Sequence, residues 1–145
     1  MADLLKTDLA LTRRAFWEET SDRWGVDLQP ERGDLALVAG RANLAQALLN
    51  RLFTRVGELS DLGHPDYGSR LYQLVGEINN ARTRALAELY IRESLAYEER
   101  VKEVALITFA PPSRRADKRE SLEISIVARL IDDGEPLTVS ISMNL

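Results

Sequence analysis

The end of the sequence contains two stretches in which apolar and polar residues alternate. Residues 122–130 read LEISIVARL, and residues 137–145 read LTVSISMNL. Successive side chains of a β-strand point to opposite faces, so this period of two predicts two strands that each bury one face. The intervening DDGEP predicts a turn, and the two strands should therefore pair as an antiparallel hairpin.

A third strand is predicted just before this hairpin. Val104 to Phe109 is apolar on both faces, which is typical of an inner strand, and Pro111-Pro112 ends it. A three-stranded antiparallel sheet has edges, and an edge can bind another strand. The stretch from Leu137 to Leu145 contains no proline and no charged side chain to block such binding, so we predict strand addition there.

The first of two long helices is predicted from a leucine stripe. Leu44, Leu48 and Leu52 recur every four residues, which predicts a helix over about 41–55 that stops at Gly57. The polar residues assigned to its outer face are Asn43, Gln46, Asn50 and Arg51.

The second long helix should begin at a cap formed by Asn79 or Asn80 and run to Glu99 or Arg100. A short helix over 69–74 is predicted between the two. Helices followed by antiparallel strands indicate an α+β fold, with two main helices packed on a small three-stranded sheet.

Residues 1–33 have a different character, because they are weakly periodic and carry Trp17 and Trp24 among charges. We interpret 1–33 as an N-terminal arm, with one short helix around Thr12 to Arg23, and 34–145 as the main domain. Large indole side chains gain by leaving water, so we expect the arm to pack on its own domain or on a neighbour.

Composition limits the chemistry. The 145-residue chain has no cysteine and one histidine, so neither a metal nor a cofactor is expected. The net charge of -4 gives no general attraction to phosphate backbones, which favours proteins over nucleic acid as partners. No stretch resembles a signal peptide or a membrane span, which predicts a soluble protein made in the cytosol, without membrane insertion.

The connection between the helices is rich in reactive side chains. His64 lies between Asp61 and Asp66, an order that suits a general base and its orienting partner. No serine or cysteine stands beside it as a nucleophile, and Pro65 follows it directly. A histidine next to proline in a turn is usually structural or solvated, so we interpret the segment as a joint.

Glu98 and Glu99 are a second candidate for catalysis, since glycoside hydrolysis uses two carboxylates. Neighbours on a helix point about 100° apart and cannot both flank one glycosidic bond. Negative charge at a helix carboxyl end also opposes the helix dipole, so a cation such as Arg100, or one from a partner, should compensate. We therefore predict that Glu98 and Arg100 belong to a buried polar junction, either within the domain or with a partner protein.

The run SRRADKR, residues 113–119, is the one basic segment. It falls between two predicted strands, where a charged run is usually a solvated loop tip. Phosphate binding is the alternative interpretation.

The order of motifs resembles a known family. GRANLAQALLNRLFTRVGEL (40–59), PDYGSRL (65–71) and AYEERVKEV (96–104) precede the alternating strands. From about Asp34 to Leu145 the chain resembles the gene W family of small baseplate wedge proteins of contractile phage tails, whose relatives occur in type VI secretion baseplates, R-type pyocins and extracellular contractile injection systems. The matching positions are Leu52, Thr54, Gly57, Glu58, Tyr67, Gly68, Leu71, Glu98 and Arg100. Glu99 stands where the family has proline, which would fix the backbone.

The resemblance implies a structural, non-enzymatic protein that is made in the bacterial cytoplasm and present in several copies around the baseplate of a phage tail or injection particle. Its implied partners are other wedge subunits, the sheath subunits whose assembly it starts, and the central spike or hub. Some relatives carry the label lysozyme, so the alternative is a small acid glycan hydrolase using Glu98 or Glu99. A stand-alone adaptor is a third possibility.

No residue is predicted to be catalytic or to bind a metal. The residues assigned to partner binding are Gly57, Glu58, Tyr67, Gly68, Glu98, Glu99, Arg100, Leu137, Val139, Ser140, Ile141 and Met143.

Overall fold

The computed structural model of the protein describes residues 7–14, 25–28, 30–31, 34–35, 37–111 and 121–145. The chain divides into two compact units, Met1–Gln46 and Ala47–Leu145, and the division falls inside a helix. Each unit is described by itself below. Trp17, Trp24 and the basic run 113–119 lie outside the described residues.

The described residues of the first unit form three short antiparallel strand pairs. They are β1 (Thr7–Leu9) with β6 (Leu37–Ala39), β2 (Leu11–Arg14) with β3 (Gly25–Leu28), and β4 (Pro30–Glu31) with β5 (Asp34–Leu35). The helix expected around Thr12 to Arg23 is wrong at its start, because Thr12 lies in β2 opposite Asp27. Pairing with a segment distant in sequence outweighs a weak helical pattern here. The rest of the expected helix lies outside the described residues.

Helix α1 (Gly40–Phe53) confirms the leucine stripe. Leu44, Leu48 and Leu52 are each at most 2% exposed. The helix ends two residues before the expected Arg55, and Thr54 continues the turn by donating both its amide and its hydroxyl to the carbonyl of Asn50, at 3.0 and 2.7 Å.

Helix α2 (Ala81–Leu95) begins as predicted and ends early. The side chain of Asn80 caps it by accepting the amide of Thr83 at 3.0 Å. The expectation that the helix reaches Glu99 or Arg100 is wrong, because the chain turns after Leu95 and the amide of Glu98 donates to the carbonyl of Leu95. Glu98 and Glu99 therefore lie in the turn after the helix and not on the helix itself.

In the second unit, the described strands form one antiparallel sheet in the order β7-β8-β9. The strands are β7 (Val101–Phe109), β8 (Ser121–Leu130) and β9 (Leu137–Asn144). The prediction that 104–109 is an inner strand is wrong, because β8 is central and β7 lies at an edge. An apolar residue on the outer face misled the prediction: Leu106 is 52% exposed.

The core of the second unit lies between the inner face of the sheet and the helices. Inner-face residues alternate with exposed ones along β9 without interruption. The buried apolar residues of this unit are Leu48, Leu52, Leu71, Leu74, Ala87, Ile91, Leu95, Ile107, Leu122, Ile124, Ile126, Ala128, Leu130, Leu137, Val139, Ile141 and Met143. This arrangement confirms the predicted α+β fold.

The segment between the helices is held to both of them. Ser69 donates its hydroxyl to the carbonyl of Leu52 in the last turn of α1, and its amide to the carbonyl of Thr54 just after the helix, at 2.8 Å. The hydroxyl of Ser94 on α2 donates to the carbonyl of Gly68 at 2.7 Å. His64 is exposed at the outside of the segment. The segment is therefore a joint with a fixed path.

Gly68 is the position where this joint needs glycine. Its φ is 114°, and a Cβ there would lie 2.6 Å from the carbonyl oxygen of Thr54. The contact is with backbone, so a side chain cannot relieve it by changing rotamer.

We predict that Gly68→Ala lowers the free energy of unfolding by about 3 kcal/mol or more, because left-handed strain of about 1–3 kcal/mol is joined by a backbone clash. Gly63→Ala is the matched control, since Gly63 has a φ of 84° but nothing within 4 Å of the added Cβ. It should cost only about 1–2 kcal/mol. Urea unfolding measures both, and equal losses would show that the close approach at Gly68 does not matter.

Candidate functional site

Glu98 and Arg100 form a two-pronged ion pair in the turn between α2 and β7. The Nε of Arg100 donates to Oε1 of Glu98 at 2.7 Å, and Nη2 donates to Oε2 at 3.1 Å. The amide of Arg100 also donates to Oε1 at 3.3 Å. The Glu98 side chain is 9% exposed and that of Arg100 is 20% exposed. Both oxygens of a nearly buried carboxylate are thus paired by a residue two positions away.

Arg51 and Tyr67 complete the cluster from other parts of the fold. Arg51, in the last turn of α1, places Nη2 3.9 Å from Oε2 of Glu98. Its guanidinium lies over the ring of Tyr67, with 4.5 Å from Cζ to the ring centroid. This geometry is a cation-π contact between the helix and the joint. We call Arg51, Tyr67, Glu98 and Arg100 the polar junction.

The junction shifts the pKa values of Glu98 and Arg100 in the directions that favour charge pairing. Burial alone would raise the pKa of Glu98, but hydrogen bonds from Arg100 and the positive charges of Arg100 and Arg51 outweigh it, so this pKa is lowered. The hydrogen bond to Glu98 raises the pKa of Arg100. Burial raises the pKa of the Tyr67 phenol. Glu98 is therefore an ionised carboxylate held by cations.

Sequence reasoning missed Arg51, which it assigned to the outer face of the first helix. That assignment is wrong, because the Arg51 side chain is 12% exposed, and Asn43 from the same outer-face set is only 4% exposed. The spacing carried a usable signal: position 51 lies three residues after Leu48 and seven after Leu44, so it falls on the buried stripe. The Nε atom of Arg51 is buried and has no hydrogen-bond partner among the described residues.

The remaining predicted residues fall into three settings. Gly57 has a φ of 86°, and the Glu58 carboxylate closes the turn beside it by accepting the amide of Arg55 at 3.1 Å. Glu99 is exposed. In β9, Ser140 is exposed, whereas Leu137, Val139, Ile141 and Met143 are at most 8% exposed. A partner at β9 would therefore meet backbone groups and polar side chains.

The described ranges contain neither a cluster suited to a metal ion nor a membrane-spanning helix. No group of three or more acidic or histidine side chains there is placed to hold a metal ion. No helix in that part of the chain combines the length and apolar character of a membrane span.

Comparisons with known proteins identify a sequence family and a similar solved structure. A sequence profile for baseplate wedge protein gp25 matches residues 38–135. Among solved structures, the chain is similar to a protein from Geobacter sulfurreducens that carries the provisional name tail lysozyme, at 25% sequence identity and a TM-score of 0.58. The alignment covers 71% of this chain and 88% of that chain. No curated protein matches at a significant level.

Acid titration should reveal the junction. Because the folded-state pKa of Glu98 lies below its unfolded value, its stabilising contribution is complete above the unfolded pKa and is lost as the pH falls through the folded pKa. We expect the free energy of unfolding to fall more steeply from about pH 5 to about pH 3 in the wild type than in Glu98→Gln. Urea unfolding at several pH values measures the two slopes.

The control for this titration is Glu99→Gln, which changes the exposed neighbour of Glu98. It removes one carboxylate of the same type and should keep the wild-type slope. If Glu98→Gln and the wild type lose stability in parallel over this range, the junction does not hold the Glu98 carboxylate as described.

Proposed function

The chain belongs to the baseplate wedge protein gp25 family, and from this membership we propose that it links wedge subunits and starts sheath assembly by accepting a strand at β9. The motif order in the sequence predicted the family correctly. The family assigns the protein to the baseplate of a contractile tail and implies interactions with other baseplate components. Sheath initiation, several copies in a ring and synthesis in the bacterial cytoplasm are parts of our proposal.

The observation that supports strand addition is the position and character of β9. It pairs with β8 on one side, and no other described strand pairs with it. Its outer face presents Thr138, Ser140, Ser142 and Asn144, without a charge or a proline. An extended arm of a sheath subunit would satisfy the free N–H and C=O groups of this edge, and its alternating side chains would set the register.

The polar junction supports this role by holding the start of the sheet. Arg100 lies directly before β7, and its carbonyl accepts the amide of Ile131 at 3.1 Å, just beyond the end of β8. The same residue is paired with Glu98, so the ends of two strands are fixed to the end of α2. We propose that the exposed groups around the joint, with Glu58 and Glu99 among them, contact wedge partners.

The name tail lysozyme belongs to the similar solved protein, and glycan hydrolysis is not part of our proposal for this chain. A glycosidase needs one carboxylic acid with a raised pKa to protonate the leaving group. The pKa of Glu98 is shifted the other way, and both its oxygens are bonded to Arg100. Glu99 is exposed at the surface beside it.

Strand addition is tested by Ser140→Pro, because proline removes a backbone donor that an incoming strand requires. Adjacent residues of an edge strand direct their N–H groups alternately toward the neighbouring strand and away from it. If the Ser140 amide faces outward, the isolated variant should keep its melting temperature within a few degrees while baseplates form without sheath. Electron microscopy of assembled particles measures sheath attachment.

Ser140→Ala is the matched control, since it removes the same hydroxyl but keeps the N–H group, and it should support full-length sheath. If Ser140→Pro does not fold, its amide faces β8, and Val139→Pro then tests the opposite set of amides. Full-length sheath on a folded proline variant with an outward-facing amide would exclude addition at this edge.

We also predict that the purified protein does not degrade bacterial cell walls, because Glu98 is held as an ionised carboxylate. Release of soluble glycan from cell-wall suspensions, measured between about pH 4 and about pH 7, should equal that of buffer. Activity that is present in the wild type and lost in Glu98→Gln would replace our proposal by the hydrolase.

A further inference from the structure

The two edges of the sheet differ in chemistry. β9 pairs with β8 in an unbroken register from Leu137 to Asn144. β7 instead shows two register shifts, between Val101 and Glu103 and between Val104 and Leu106. Such bulges disturb the regular spacing of N–H and C=O groups that an added strand needs.

Charged side chains add to this difference. On β7, Lys102 pairs with Asp133 at 3.2 Å, and Glu103 pairs with Arg129 of β8 at 3.1 Å. β9 carries no charged side chain. Charges on an edge strand oppose pairing with another strand, because they would have to lose water when the new strand covers them.

Helix α2 contributes a third obstacle at β7. The Nη1 of Arg92 donates to the carbonyl of Val104 at 2.8 Å, at the second bulge. Two other donors of the same guanidinium, Nε and Nη2, each contact Oε1 of Glu88 at 3.1 Å. Glu88 lies one helical turn before Arg92, so the pair is oriented by the helix itself. A carbonyl of the edge strand is thereby occupied from within the chain.

We propose that the Glu88–Arg92 pair closes the β7 edge, so that the sheet accepts an added strand at β9 alone. The part concerning β9 rests on the proposed function, whereas the closure of β7 is independent of sheath. The open edge of β9 fits an extended peptide segment whose own N–H and C=O groups are unpaired on one side. A second copy of this chain is thereby excluded at β7, so two copies do not join through their β7 edges.

The test uses the absence of cysteine from the chain. Ala105 is exposed and lies within the second bulge of β7, so Ala105→Cys places a single thiol at this edge. When two β7 edges pair antiparallel with their second bulges opposite each other, their thiols come within the Cα separation of about 4.4–6.8 Å that a disulfide requires. Under mild oxidation, Ala105→Cys combined with Arg92→Met should give several-fold more disulfide-linked dimer than Ala105→Cys alone.

The matched control combines Ala105→Cys with Arg82→Met. Arg82 is an exposed arginine in the first turn of the same helix, so the change in net charge is identical. This variant should behave like Ala105→Cys alone. Equal dimer yields in the Arg92→Met and Arg82→Met variants, with thermal melting showing that both are folded, would overturn the closure.

A second variant protects the test against a folding defect. Arg92 is 43% exposed, so its replacement is not expected to disturb the core. If Arg92→Met nevertheless fails to fold, Arg92→Gln replaces the guanidinium by a polar side chain, removes its bond to the Val104 carbonyl, and should also raise the dimer yield. An unchanged dimer yield overturns the proposal. Dimers that form through β9 would not produce a disulfide at position 105. The Ser140→Pro experiment, which measures sheath growth, tests β9 separately.

Discussion

The buried carboxylate of Glu98 imposes the main constraint on the second unit. A carboxylate that is 9% exposed must be paired, because an unpaired buried charge costs several kcal/mol. Its strongest partner, Arg100, is only two residues away, so the chain must turn sharply between α2 and β7 for the two to meet. This single pairing therefore fixes the turn that joins the end of the helix to the first residues of the sheet.

Arg51 connects this ion pair to the first helix, and the contact of Arg51 with Tyr67 connects it to the joint. The joint is fixed in turn by the close approach of Gly68 to the end of α1 and by the hydrogen bond from Ser94 of α2. These contacts connect elements that are distant in sequence, and they leave the polar face and the outer edge of β9 uncommitted in the described structure. A rigid support and an open edge are what a strand acceptor requires.

Much of this fold could be predicted from the sequence, because a helix or strand that buries one face has apolar residues at a regular spacing. Three features could be recognised from neighbouring residues in this way. They are the alternation at 122–130 and 137–145, the leucine stripe of α1 and the cap at Asn80. The end of α2 could not be read in this way, since it depends on a pairing beyond the helix. The edge position of β7 was also hidden, because an exposed apolar residue such as Leu106 looks the same in sequence as a buried one.

The candidate site was predicted in part. Glu98 and Arg100 were identified through motif order, and their mutual pairing followed from charge. Arg51 was missed because an arginine among leucines suggests a solvated face, whereas its ring contact with Tyr67 and its proximity to Glu98 depend on the tertiary fold. The pairing of Arg92 with the backbone of β7 is likewise a long-range contact that no local pattern signals.

The order of strands in the sheet also bears on how the molecule folds. Each strand pairs with its neighbour along the chain, and residues 131–136 alone connect β8 to β9. Closing short loops costs little chain entropy, and contacts between neighbours in sequence form faster than distant ones. The β8-β9 hairpin should therefore be an early folding unit. The sheet would then start from this hairpin, and the long-range contacts of the polar junction would form later.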